Sequence, residues 1–477
     1  MDQMSVSSVF PIMRNIILFL ITVFAIKAQP ALPETPAGKT LAKWLEVFNG
    51  GERAQMKQFL ETYNPERLSG LDGAVDFRKN TGGFHLFRVD KSEPREIEAI
   101  VREREGEGNY AKLTMKVADG DPARITALGI RVTEPPADAP VSARLGGEEA
   151  VAGWQAEIAK QVAAENFSGA YLWAKNGKVI ASGAAGLADR EEKVSNTLET
   201  KFRIGSMNKM FTSVATLQLV EKGKLALDEP VIRYLPDYPN RELASKVKIR
   251  HLLTHTGGTG DIFGPEFDKH RLELRTLNDY VNLYGKRGLA FEPGAKSEYS
   301  NYGFLLLGVL IEKVSGQGYY DYVRDHIFRL AGMTNTDSLP EGDGVAKRSI
   351  GYMKGKGQWA PNTDTLPWRG TSAGGGYSTV GDLMKFAQAL TSHKLIGAAL
   401  LAEATKTQVK ESGYGFGFGT SNRGGMRAFG HGGGAPGMNG ELQIFPDSGQ
   451  VVVVLSNLDP PSASKVSGWL TSRMPKE

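Results

Sequence analysis

Three Ser-x-x-Lys strings occur in this chain: Ser206 to Lys209, Ser245 to Lys248 and Ser462 to Lys465. A serine hydroxyl becomes a nucleophile near neutral pH only with a base beside it. A lysine three residues on lies on the same helix face, one turn above. It can take the hydroxyl proton only where desolvation lowers its pKa. Context therefore chooses among the three. Phe202-Arg-Ile-Gly205 runs into Ser206 as a short extended stretch. A long apolar helix follows through Met210, Phe211, Val214, Leu217 and Val220, with Gly223 as its stop. Ser206 would begin a buried helix, its backbone N–H aimed at a developing oxyanion. A plain helix cap is the bland alternative. Ser245 sits in a charged stretch read as a strand, where alternation puts Ser245 and Lys248 on opposite faces. Ser462 follows Pro460-Pro461 and reads as a cap.

Two other patterns compete. Gly370-Thr-Ser372-Ala-Gly374 spells the nucleophile elbow Gly-x-Ser-x-Gly, which needs a buried strand before it and a helix directly after. Leu366-Pro-Trp-Arg precedes it and glycines follow, so it reads as a loop on the substrate side. His251 and His255 lie four apart, as metal ligands on a helix would. No Glu follows His251 and no third ligand presents itself, so neither a metal nor another cofactor is expected. The chain has no cysteine, which excludes disulfides and thiol catalysis. Its net charge is only +4, with no basic run interleaved with aromatics, which gives a nucleic-acid partner no support.

The elements around these residues divide the chain. Residues 40–64 carry helical periodicity through Leu41, Trp44, Leu45, Phe48, Met56, Phe59 and Leu60. From Gly83 the period becomes two, and four strands are expected: Phe84 to Phe87, Ile97 to Arg102, Tyr110 to Val117 and Ile125 to Val132. Residues 38–133 thus read as a small α+β domain of two helices and an antiparallel sheet. Substrate docking, a partner contact and simple stabilisation are all open to it. A Pro-rich linker spans 134–148, and residues 149–477 form the larger domain. This opens with a helix from Val151 to Ala164 and a hairpin about Asn176-Gly177, and closes with a hairpin about Asp447-Ser448-Gly449 and a last helix. Strands at both ends imply that the termini join in one sheet. At the N-terminus, Arg14 precedes an apolar run of eleven residues, Ile16 to Ile26, and small residues follow. A bilayer span takes about 20 residues. The run reads as a signal peptide over 1–28, with translation starting at Met1 or Met13, so the protein is expected to be exported, periplasmic or secreted. An uncleaved membrane anchor is the alternative.

Phe-Arg-Ile-Gly-Ser206-Met-Asn-Lys209 resembles the active-site block of the serine β-lactamase and penicillin-binding-protein superfamily. The branch is that of class C β-lactamases, D-Ala-D-Ala carboxypeptidases, D-aminopeptidases and β-lactamase-like esterases. Gly223-Lys-Leu-Ala-Leu-Asp228-Glu-Pro230, Ile249-Arg-His-Leu-Leu-Thr-His255-Thr-Gly-Gly258 and Gly374-Gly-Gly-Tyr-Ser-Thr379 are similar to further landmarks. The resemblance covers about residues 150–470 and leaves out the small domain. It implies an αβα sandwich with an antiparallel sheet and a helical subdomain, the site lying between them.

The resemblance also assigns roles. The family's second motif is Tyr-x-Asn. Of three such strings, only Tyr299-Ser-Asn301 has the family setting, Phe291-Glu-Pro-Gly294 before it and Tyr302-Gly-Phe-Leu after it. Tyr299 would be the general base in acylation and the acid toward the leaving group. Nearby cations would have to pull its phenol down from about 10. Asn301 would bond Lys209 or a substrate amide. The third block, usually Lys-Thr-Gly, reads His431-Gly-Gly433-Gly434 here. Gly433 and Gly434 would let a substrate backbone lie against a strand, with the Gly434 and Ser206 amides as oxyanion donors. His431 in place of Lys implies weaker recognition of a carboxylate. The expected activity is hydrolysis of a small-molecule ester or D-amino-acid peptide, with β-lactam hydrolysis as the alternative. A sensor or scaffold that binds penicillin-like ligands without efficient turnover is the reading of another class.

Overall fold

The computed structural model describes residues 30–477 apart from 105–109, 134, 137, 141, 356–357 and 424. The expected signal segment lies outside the described residues. In the small domain, helix α1 (Pro36–Gly50) starts where the Thr35 hydroxyl accepts the Gly38 N–H, and it stops at Gly51 with φ 76°. Helix α2 (Arg53–Tyr63) follows. A third helix, α3 (Leu71–Thr81), was not expected. Its glycine at 73 and its polar composition disfavour a helix by propensity. Tertiary contacts override that: Leu71 joins the core, and the Arg78 guanidinium donates to the Asn49 carbonyl at 2.9 and 3.2 Å. Strands β1 (Phe84–Ser92), β2 (Glu96–Glu103), β3 (Tyr110–Val117) and β4 (Ile125–Thr133) form an antiparallel meander. Alternation sends Ile97, Ala99, Val101, Leu113 and Met115 inward, while Lys112 pairs with Glu98 across the outer face. The Pro-rich linker is not free of this domain, because Ala139 is buried against Ile100 and Tyr110.

The larger domain begins with α4 (Gly147–Ala163) and the hairpin β5 (Gly169–Lys175) and β6 (Lys178–Ala185). Asn176 and Gly177 turn it at φ 48° and 79°, the positive values that a two-residue hairpin demands. Six antiparallel strands run in the order Gly419–Arg423, Met426–Ala435, Met438–Phe445, Gln450–Ser456, β5, β6. Val454 pairs with Tyr171, so the two ends of the domain do meet in one sheet. Gln450–Ser456 is buried along its whole length because both sheet faces are covered. On one face Val452 and Val454 pack with Trp154 of α4 and with Val466 and Leu470 of the last helix, Ser462–Arg473. On the other face Val453 and Leu455 join the core of the intervening helices. The result is the αβα sandwich with a helical region between its first and last strands.

The stretch around Ser245 departs from expectation. It is helical, as Arg241–Lys246 and Ile249–Leu253, and not a strand. The Asn240 side chain caps the first of these helices, and Leu243, Ala244 and Val247 supply its buried face. Ser245 bonds the Arg241 carbonyl and Lys248 approaches Asp228 at 3.9 Å, so this pair does no joint work.

Candidate active site

Ser206 lies in a single 3-10 turn, Gly205–Met207, directly ahead of helix α5 (Asn208–Glu221). Two features place the turn. Phe202–Arg203 pairs with Tyr377–Ser378, and Gly205 takes φ 50°, which a glycine adopts without cost. Residues 208–219 of α5 are all buried, as a helix surrounded by core must be. No side-chain cap bond forms at either start, so the helix-cap alternative for Ser206 falls away.

Lys209 is completely buried. Its Nζ donates to Asn301 Oδ1 at 2.8 Å, to the Ala373 carbonyl, and to Ser206 Oγ at 3.2 Å. Burial lowers its pKa to about 7, against a smaller upward pull from the Asp261 carboxylate. Near neutrality the amine is therefore partly free and can accept the serine proton.

Tyr299 lies close enough to the same hydroxyl for the Ser206 side chain to exert a downward pull on the pKa of its phenol. Its ring lies 4.7 Å from Lys209 Nζ and 4.2 Å from the His255 ring. The next residue explains the placement. Ser300 caps the helix Asn301–Ser315 by accepting the Gly303 N–H at 2.9 Å, which fixes Tyr299 just before the helix and Asn301 at its first position. Tyr299 is 45% exposed as a residue, but desolvation acts on its hydroxyl and pushes the phenol well above its usual value. This corrects the expectation that cations pull it down. The nearest cation, Lys209, is itself desolvated, and the Asp261 charge adds to the upward shift. The titrating base beside Ser206 is the amine, and the phenol keeps its proton.

His431 is buried and neutral. Its Nδ1 lies 2.5 Å from the Gly432 carbonyl and its Nε2 lies 2.8 Å from the Tyr414 hydroxyl. Nδ1–H donates to the carbonyl, so Nε2 accepts from the phenol. Burial and the nearby Lys209 lower its pKa to about 4. The imidazole contributes no charge at physiological pH, which goes further than the partial charge expected of it.

The strand Met426–Ala435 pairs with Gly419–Arg423 only as far as Gly430, leaving residues 431–435 unpaired on that edge. There it meets the nucleophile turn. A Cβ built on Gly205 would stand 3.3 Å from the Gly434 nitrogen, and one built on Gly433 would stand 2.0 Å from the Ile204 carbonyl oxygen. Gly433→Ala must therefore push the strand off the turn. We expect it to cost about 1–3 kcal/mol, as overpacking does. Thermal unfolding should report that loss, and acylation of an aryl ester should slow with it.

Four contributors escaped the sequence reading. Asp261 accepts the Asn301 backbone N–H at 3.0 Å and approaches its carboxamide at 3.3 Å, which turns the amide oxygen toward Lys209. Its setting, Gly258-Thr-Gly-Asp261, carries no helical or strand period. Tyr414 holds His431 from a loop. His255 lies within a family landmark, and its sequence pattern suggests only a metal ligand. It takes φ 58°, accepts the Ser300 N–H at 3.1 Å and packs on Tyr299 and Tyr414. Finally, the Gly370–Gly374 loop contributes a carbonyl, not a nucleophile. Ser372 is fully buried beside Gly308, while the Ala373 carbonyl reaches Lys209. The loop is thus less a substrate-side surface than a support behind the lysine. Thr212 and Asn208 of α5 hold it by bonding the carbonyls of Ser372 and Thr371.

A β-lactamase family model matches residues 154–471. A Bacillus subtilis relative, PbpX, whose name carries the term penicillin-binding protein, is 33% identical over 296 residues, or 61% of this chain and 70% of that one. Among solved structures, a penicillin binding protein from Bacillus halodurans superposes with a TM-score of 0.59 and 31% identity, covering 68% of this chain and 97% of that one. A D-stereospecific amidohydrolase from Streptomyces sp. gives 0.56 and 28%, covering 66% and 97%. Helices α1 to α3 and strands β1 to β4 lie outside the matched residues.

Proposed function

Because the chain belongs to the β-lactamase family, we propose that it is an exported serine hydrolase that cleaves an ester, or an amide beside a D-amino acid, through an acyl-enzyme on Ser206. The observation that carries the reading is a desolvated amine, with its pKa near 7, hydrogen-bonded at 3.2 Å to a hydroxyl on an open turn. Ser206 Oγ attacks the substrate carbonyl while its proton passes to Lys209. The oxygen turns anionic between the Ser206 and Gly434 amides, donors of a kind worth about 3–4 kcal/mol in the transition state. The protonated Tyr299 hydroxyl hands a proton to the leaving group and is restored from the ammonium of Lys209. Water then attacks the ester on Ser206 while Lys209 takes its proton, and the ammonium returns that proton to Ser206 Oγ as the acyl group leaves as a carboxylic acid. Asn301 orients the amine through its carboxamide oxygen, and Asp261 orients Asn301.

The neutral His431 favours esters and amides over β-lactams and D-Ala-D-Ala peptides. Those last two present a carboxylate, and at this strand position the chain offers it no cation. Export rests on Arg14 and the apolar run after it.

The pH profile follows from the amine. Activity needs its unprotonated form, so kcat/KM should rise with pH through about 7. Asp261 favours the ammonium, so Asp261→Asn should move this acidic limb to lower pH; an upward move would contradict the assignment. Intact-mass analysis with an aryl ester, a D-amino-acid amide and a labelled penicillin tests the reading itself. A transient adduct on Ser206 from the ester or amide is expected. An adduct on another residue overturns the mechanism, and one that never hydrolyses overturns the hydrolase.

A further inference from the structure

The small domain contains an unfilled space that the hydrolase chemistry does not use. Its helices do not fully cover the edge strand β4, and a trough of about 400 Å³ remains between them. Trp44, Phe48, Phe59 and Phe77 wall it on the helix side, and Leu128 and Ile130 of β4 form its floor. That volume falls in the range of small-molecule pockets, roughly 300–1,000 Å³. Phe77 is left 38% exposed, and both floor residues are only half-buried.

Glycines keep the space open. Gly73, Ala74 and Phe77 share one face of α3, and they line the trough together with Gly70 just before the helix. A Cβ at Gly70 or Gly73 would meet nothing within 4 Å, and neither glycine has a positive φ that would require its identity. A side chain at either position would therefore find free space and meet no backbone strain.

One charge borders it. Arg67 is exposed and lines the trough, and among the described residues no hydrogen bond or ion pair engages its guanidinium. Among the described residues that line the trough none is acidic, and Asn64 and Trp44 are the other side chains with a nitrogen or oxygen. A greasy slot with an unpaired guanidinium at its mouth complements an apolar tail that ends in an anion. We propose that the small domain binds a medium-chain fatty acid or a similar acyl anion, its chain in the aromatic trough and its carboxylate on Arg67. This is independent of the reaction at Ser206.

The test uses the full mature chain and laurate, followed by calorimetry. Gly73→Phe fills the trough from an unstrained position and should weaken laurate binding at least tenfold, with hydrolysis of an aryl ester unchanged. Arg67→Ala, a surface change, should weaken laurate severalfold while leaving dodecanol binding as it was. Should Gly73→Phe fail to fold, the Arg67→Ala comparison decides alone. No laurate binding, or binding by both variants as tight as the wild type's, overturns the proposal. So does competition between laurate and the ester, which would place the fatty acid at Ser206. A wild-type dimer that Gly73→Phe converts to monomer would show instead that a second copy covers the trough.

Discussion

Ser206→Ala should lower kcat by roughly 10³-fold or more and abolish the acyl adduct, whereas Ser372→Ala should leave both nearly unchanged. The two serines are a sharp pair because both lie in strings that spell known nucleophile motifs. They differ in surroundings. Ser206 sits on a turn with a free edge before it, in reach of Lys209 and Tyr299. Ser372 is buried, its hydroxyl has no hydrogen-bond partner among the described residues, and a Cβ on Gly308 would stand 2.3 Å from it. Removing that hydroxyl deletes an unsatisfied polar atom, so stability should hold or rise slightly. Single-turnover kinetics with an aryl ester read the first effect and a thermal melt the second. Equal losses at both positions would mean that the wrong serine has been chosen.

Lys209→Met should lower kcat/KM by roughly 10²–10⁴-fold, the usual range for losing a positioned base. The residual activity should also lose its acidic limb near pH 7, because the group that titrates there is gone. Tyr299→Phe provides the contrast. The phenol donates to the leaving group and does not begin the reaction, so the loss should be large on an amide and small on an activated aryl ester. A Tyr299→Phe variant as damaged as Lys209→Met on the aryl ester would return the role of base to the tyrosine. Methionine matches the lysine stem in a buried position, so circular dichroism should show an intact fold.

Local sequence determined much of this protein. Asn176-Gly177 forces a hairpin because few residue pairs accept two positive φ angles. The apolar run after Ser206 has to be a buried helix, and the alternation from Gly83 has to be a sheet. The apolar helix after it singled out Ser206 with Lys209, while Tyr299, Asn301 and Gly434 were legible only because the blocks around them resemble those of a known family. What the sequence could not carry was any property that depends on solvent exclusion or on contacts between distant segments. Helix α3 forms against its own propensities because Leu71 and Arg78 find partners far away in the chain. The charge states of Lys209, Tyr299 and His431 follow from how completely each is desolvated, which no spacing records. Asp261 lies on a loop without period, and only the fold carries it to Asn301. Covalent neighbours set backbone preference, and tertiary packing sets the local dielectric. Here the first placed the reacting atoms on their elements, and the second decided which of them holds the proton.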